Sequence, residues 1–345
     1  MAGNDSSAGE LEHERIPQAA GVATTNQPVT VRHCSVSERH DYTQRQCETQ
    51  QKQHQAAKTT SKAARLKATK NMFVDEKHQV LLCVPYKSGA STHLNLLAQN
   101  SDAVLNHKIP AQQLQLILDK LVVRANRQKV GIRDMNSYPA QKRQNLLNNY
   151  YKVAVVRHPL VRILSMYTNK VAHYDSETSL WVCSDNYYGE YLKQYIVANQ
   201  LQSTVNCSFA LFVDYLVNHQ SSMLKDMHTS PMTSWCNHCD INYDLIIKLE
   251  TGNQDQRYLL DTKINPSFNK TLQINPALHH INAANNTQQE FTRVWTQFQS
   301  VNRDHFEKLI AMYRTDLDLF GYSYSWRADG LETKCEIDVQ GEFCC

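Results

Sequence analysis

Residues 80–92 read Val-Leu-Leu-Cys-Val-Pro-Tyr-Lys-Ser-Gly-Ala-Ser-Thr, and the fold turns on this stretch. An apolar run ends at Pro85, a loop of small and hydroxyl residues surrounds Lys87 and Gly89, and His93-Leu94-Asn95-Leu96-Leu97 continues in a helical pattern. The expected arrangement is strand, anion loop, helix. Amides at a helix N-terminus point outward, and the helix dipole favours negative charge there. Gly89 lets backbone approach a ligand, Lys87 adds a full charge, and Ser88, Ser91 and Thr92 add hydroxyls. Such a loop suits a phosphate-like group. The plainer alternative is a strand-to-helix turn capped by Ser91 or Thr92. No Gly-x-x-x-x-Gly-Lys-Ser/Thr occurs, so the loop is not of the nucleoside-triphosphatase kind.

Residues 151–170 repeat the pattern. Val153–Val156 form a β-branched run suited to a buried parallel strand, and Pro159 fits the first turn of a helix. Leu160, Ile163, Leu164 and Tyr167 give that helix an apolar face. Arg157 stands at the strand end with Ser165 eight residues on. A guanidinium fork and a hydroxyl together match a second phosphate.

These two segments resemble the 5′-phosphosulfate and 3′-phosphate sites of sulfotransferases that use 3′-phosphoadenosine 5′-phosphosulfate (PAPS). Trp235-Cys236-Asn237-His238-Cys239, Tyr243–Thr251 and Tyr313–Tyr322 narrow the resemblance. They look like the Golgi carbohydrate sulfotransferases of the chondroitin, dermatan and HNK-1 type. The resemblance spans roughly residues 78–325 and departs from the family pattern at Tyr86, where a proline is common, and at His93, where a tryptophan is common.

The resemblance implies a three-layer α/β domain with a mainly parallel central sheet, the P-loop-like sulfotransferase fold. It implies PAPS as sulfate donor, no metal, and a glycan or glycosaminoglycan acceptor, with 4-O-sulfation of GalNAc in chondroitin or dermatan as first choice. Donor contacts are expected from Tyr86, Lys87, Ser88, Gly89, Ala90, Ser91, Thr92, Arg157, Arg162 and Ser165. Lys87 is expected to stabilise charge on the leaving oxygens. His228, in Met227-His228-Thr229-Ser230-Pro231, is the first candidate base, with His93 and Glu250 as alternatives. Two other functional readings stand beside this one: an inactive glycan-binding homologue, and a nucleotide-kinase-like enzyme, which would need the loop that is absent.

Net charge of +3 over 345 residues gives no reason to expect nucleic acid as a partner. Residues 1–70 are rich in Gln, Thr, Ser, Ala and Lys and are expected to be a loose or stem-like arm. Residues 71–328 form the expected catalytic domain and 329–345 a cysteine-containing tail. No run of about 20 apolar residues appears, so membrane attachment would require an N-terminal anchor not seen in this chain. Ten cysteines and the sequons Asn206-Cys207-Ser208, Asn269-Lys270-Thr271 and Asn285-Asn286-Thr287 favour an oxidising lumen, in keeping with the Golgi address the resemblance implies. The N-terminus is accordingly read as incomplete. Cys236 and Cys239 lack the further ligands a zinc site needs and are expected in disulfides. Cys183 and Cys207 are candidate partners, and Cys83, inside the first core strand, is expected to be a buried thiol.

Overall fold

The computed structural model describes residues 35–54, 72–121, 123–201, 206–264 and 296–322, with two short strands at 336–337 and 343–344. The sequons at Asn269 and Asn285, and most of the tail and arm, lie outside the described residues.

A five-stranded sheet organises the domain. Its strands are β1 (Met72–Asp75), β2 (Val80–Cys83), β3 (Ile132–Asp134), β4 (Tyr151–Val156) and β7 (Leu245–Lys248), in the order β3-β1-β2-β4-β7. The strands β5 (Ala172–Asp175) and β6 (Leu180–Cys183) form a separate hairpin. In the main sheet β1 pairs antiparallel with β2 and with β3, while β2 and β4, and β4 and β7, pair in parallel. Only β1 therefore runs against the others, and the sheet is mainly parallel as expected.

The strands read as they do because both faces are covered. Every residue of β2 and β7 is buried, which is why these segments are near-continuous apolar runs. Side chains alternate between two cores. Val80, Leu82, Val153, Val155, Leu245 and Ile247 meet Leu94 and Leu97 of the helix Ala90–Gln99 on one face. Leu81, Cys83, Ala154, Val156 and Ile246 meet Met232, Cys236 and Phe320 on the other. A third core, away from the sheet, packs Leu160, Ile163 and Tyr167 against Phe209, Phe212, Phe306 and Tyr313.

The register of β2 on β4 sets up the site. Cys83 pairs with Ala154, so the two strands end side by side and deliver Pro85–Thr92 and Arg157 to the same edge. Open parallel sheets bind ligands at that edge.

Three disulfides among the described residues join distant segments: Cys47–Cys239, Cys83–Cys236 and Cys183–Cys207. The last is the candidate pair named above. Cys83 is not a buried thiol but a crosslink from the end of β2 to the helix Met232–Cys236, with Cα atoms 5.9 Å apart. Cys236 and Cys239 bond outward to different partners. Their close spacing brings together two long-range crosslinks.

The helix Val36–His54 corrects the expectation of a loose arm through residue 70. It packs onto the domain through Arg39, Thr43 and Cys47, each about 5% exposed and spaced by four, on one helical stripe. Arg39 forms a buried ion pair with Asp255 and donates to Thr251 Oγ1 at 2.9 Å. Tyr42 donates to the Asp318 carbonyl at 3.0 Å. A stripe of Arg, Thr and Cys carries no apolar periodicity, so the sequence pattern conceals a docked helix.

Removing one partner of a buried pair strands the other, at a cost of about 3–5 kcal/mol. Arg39→Ala should therefore lower folding stability by about that amount in denaturant titration. A change under about 0.5 kcal/mol would show that the helix rests on the domain without supporting it.

Candidate active site

The loop after β2 is shaped by its backbone. Lys87 adopts φ 68° and Gly89 φ 83°, and the Ser88 amide donates to the Pro85 carbonyl at 3.1 Å. The left-handed turn at Gly89 starts the helix Ala90–Gln99 with no side-chain cap. The positive φ calls for glycine, and a Cβ there would also stand 2.7 Å from Leu249 Cδ1, forcing that side chain to shift. The first helical amides, at Ala90 and Ser91, have no acceptor within the helix. Tyr86, Ala90, Ser91 and Thr92 are half-buried at this edge. Ser88 is fully buried, its hydroxyl lies 3.6 Å from Met232 Sδ, and its amide donates to the Pro85 carbonyl. These contacts help hold the loop's shape.

Lys87 is half-buried. Burial first, then Arg157 and Lys170, push its ammonium pKa down to about 8. Arg157 Nη1 donates to the Lys87 carbonyl at 2.9 Å, so the two cations expected from separate motifs share one turn. Lys170, on a π-helical turn Tyr167–Val171 that extends the helix Pro159–Met166, brings a third positive charge. Nothing in the apolar pattern singled it out.

Arg162 is placed differently from Arg157. It is fully buried, with Nε donating to the Tyr86 carbonyl at 2.9 Å and Nη1 to the Ser230 carbonyl at 2.8 Å. It ties the loop to the His228 segment, while its Nη2 is buried with no hydrogen-bond partner among the described residues. Ser165, three residues further along the same helix, is half-buried.

His228 stands beside the loop, its ring centroid 4.9 Å from that of Tyr86. Its Nδ1 lies 2.7 Å from Tyr188 Oη and 3.6 Å from Asp226 Oδ1, and its amide donates to Asp226 Oδ1 at 2.8 Å. The segment is held from the C-terminal helix Arg303–Phe320. Tyr313 Oη donates to the Thr229 carbonyl, and buried Asp316 accepts from the Met232 and Thr233 amides at 2.7 and 2.8 Å. Asp316 thus caps the helix Met232–Cys236, although burial itself raises its pKa.

The two alternative bases are both engaged. His93 is 1% exposed, with Nδ1 on the Gly89 carbonyl at 2.9 Å and Nε2 on Gln256 Nε2 at 3.2 Å. Glu250 accepts from the His158 amide at 2.7 Å and from Tyr322 Oη at 2.9 Å. His93 braces the loop and Glu250 braces the start of the next helix. Among the described residues, no group of three or more His, Cys, Asp or Glu is placed to hold a metal ion.

A family model described as "Sulfotransferase family" matches residues 70–323, the whole of the sheet and the site. The chain belongs to the sulfotransferase family. Carbohydrate sulfotransferase 11 of Rattus norvegicus is 24% identical over 266 residues, covering 74% of this chain and 67% of that protein. Carbohydrate sulfotransferase 10 of Xenopus laevis is 24% identical over 257 residues, with coverage of 73% and 67%. Carbohydrate sulfotransferase 9 of Homo sapiens is 26% identical over 199 residues, with coverage of 55% and 40%. No solved structure matches.

In this sulfotransferase the Lys87 ammonium should titrate near pH 8, followed by NMR of isotope-labelled lysine. In Arg157→Ala it should titrate higher, because removing a neighbouring positive charge favours the protonated form. A midpoint near the ordinary 10.5 in the wild type would contradict the crowding of cations at the loop.

Proposed function

We propose that this sulfotransferase moves a sulfuryl group from PAPS to a sugar hydroxyl of a glycan, with the 4-hydroxyl of GalNAc in chondroitin or dermatan as first acceptor. The observation that carries the reading is the convergence at one sheet edge of Lys87, Arg157 and open helix-start amides with His228, which packs on Tyr86. A donor bearing two phosphate groups fits a helix N-terminus with no side-chain cap and two adjacent cations. The carbohydrate class is supported by the names of the relatives, and the GalNAc preference rests on the weight of chondroitin and dermatan enzymes within the family that the chain resembles.

PAPS supplies the sulfuryl group and the phosphate leaving group; the chain's residues supply position and charge. Amides at the start of the helix Ala90–Gln99 orient the 5′-phosphate. Arg157 and Ser165 orient the 3′-phosphate. Lys87 meets the negative charge that builds on the leaving phosphate oxygen as the S–O bond breaks. His228 Nε2 takes the proton of the acceptor hydroxyl as its oxygen bonds to sulfur. The three disulfides support an oxidising compartment, consistent with a Golgi lumen. Among the described residues, no helix is long and apolar enough to cross a membrane.

Labelled PAPS offered with a panel of desulfated glycans, read by disaccharide analysis, tests the reading. Sulfate should appear on GalNAc 4-O, and His228→Ala should lower the rate about 10²–10⁴-fold with unchanged donor affinity. Donor binding without transfer to any glycan would overturn it in favour of a binding protein.

A further inference from the structure

His228 is surrounded by groups whose protons can be assigned. Tyr188 Oη lies 2.9 Å from Asp226 Oδ2 and 2.7 Å from His228 Nδ1, and Tyr187 Oη lies 3.0 Å from the same Asp226 oxygen. Burial alone would raise the Asp226 pKa. The His228 side chain 3.6 Å away, and hydrogen bonds from the His228 amide, Tyr188 and Tyr187, outweigh it and bring the pKa down to about 2. Asp226 is therefore ionised and can only accept. Burial, then Tyr187 and Asp226, push the Tyr188 pKa up, so Tyr188 keeps its single proton.

That proton has two possible destinations. If it went to His228 Nδ1, Tyr188 Oη and Asp226 Oδ2 would face each other 2.9 Å apart with no hydrogen between them. Two acceptors at that distance repel. If it goes to Asp226, Tyr188 Oη is free to accept from a proton on His228 Nδ1, and every contact is satisfied. The second arrangement leaves the lone pair on His228 Nε2. It also sets the imidazole 3.6 Å from an ionised carboxylate oxygen, in place to offset the charge that appears when Nε2 gains a proton.

We propose that Tyr188 and Asp226 are positioning residues of this sulfotransferase: they act through His228, fixing its Nδ1–H tautomer and presenting the Nε2 lone pair to the acceptor hydroxyl. The inference rests on the reading of His228 as the base. In the step itself the acceptor proton passes to Nε2, the acceptor oxygen bonds to sulfur, and the electron pair of the breaking S–O bond leaves on the phosphate oxygen. The protons of Nδ1 and Tyr188 stay where they are. The other groups at this histidine do not compete for Nδ1. Tyr86 meets the ring by its own ring, and Arg162 and Tyr313 bond to the carbonyls of Ser230 and Thr229.

The test compares Tyr188→Phe, His228→Ala and the double variant in the full chain. It measures kcat, affinity for adenosine 3′,5′-bisphosphate, and the ¹⁵N-detected tautomer of His228. Tyr188→Phe removes one oxygen. It should lower kcat about tenfold or more and leave nucleotide affinity unchanged. The double variant should be no slower than His228→Ala alone, because a residue acting only through His228 has nothing left to act on. Wild-type His228 should carry its proton on Nδ1, and Tyr188→Phe should shift the population toward Nε2–H. A wild-type Nε2–H tautomer, full kcat in Tyr188→Phe, or losses that add in the double variant would each overturn the inference. Full activity in His228→Ala would instead overturn the base reading beneath it. The wild-type tautomer measurement decides the matter even if a variant fails to fold.

Discussion

The buried guanidinium of Arg162 joins the two halves of the site. One arm holds the Tyr86 carbonyl, at the entrance to the loop that carries Lys87. The other holds the Ser230 carbonyl, two residues after His228. A fully desolvated arginine is costly unless its donors are satisfied. Here Nε and Nη1 are spent on backbone, so a rigid planar group sets the geometry between loop and histidine, while Nη2 is buried with no hydrogen-bond partner among the described residues. The Cys83–Cys236 disulfide repeats the connection covalently, from the end of β2 to the helix that follows the His228 segment. Asp316 and Tyr313 hold that same segment from the C-terminal helix. Three independent ties converge on one short stretch, as expected where a side chain must be aimed rather than merely placed.

The parallel pairing of β2 with β4 is the second constraint. Neither motif alone makes a site: Lys87 stands after one strand and Arg157 after another, 70 residues on. The register brings both strand ends to one edge, and the hydrogen bond from Arg157 to the Lys87 carbonyl records the outcome. The crowding has an electrostatic consequence. Burial first, and then repulsion from Arg157 and Lys170, depress the Lys87 pKa. The arrangement is paid for in repulsion that a polyanion would relieve.

Much of this was legible in the sequence, for identifiable reasons. Apolar runs at 80–84 and 153–156, each followed by a turn and an apolar-faced helix, announce buried parallel strands, because both faces of such a sheet are covered. Three things stayed hidden. The helix Val36–His54 docks through Arg39, Thr43 and Cys47, which read as polar. Cys83 looks like any small apolar strand residue until Cys236 is seen opposite it. The contacts of Tyr188 with Asp226 and His228 join segments about 40 residues apart, a relation no local pattern reports. Only the Asp226-Met227-His228 spacing gave a local sign, since an aspartate often accepts from the amide two residues on, as Asp226 does here. Arg162 and Ser88 show another limit: residue type marks both as donors, but does not show that Arg162 Nε and Nη1 and the Ser88 amide bond to backbone carbonyls.

Lys87 and Arg157 carry the central claim, a site for a donor with two phosphates. Isothermal titration of adenosine 3′,5′-bisphosphate against adenosine 5′-monophosphate, in wild type and Arg157→Ala, addresses that claim without requiring an acceptor. The wild type should bind the bisphosphate at least about tenfold more tightly. Arg157→Ala should erase the preference, losing about 2–5 kcal/mol of bisphosphate affinity as a desolvated charge pair is broken. Equal affinity for the two nucleotides in the wild type, or a preference that survives Arg157→Ala, would contradict it.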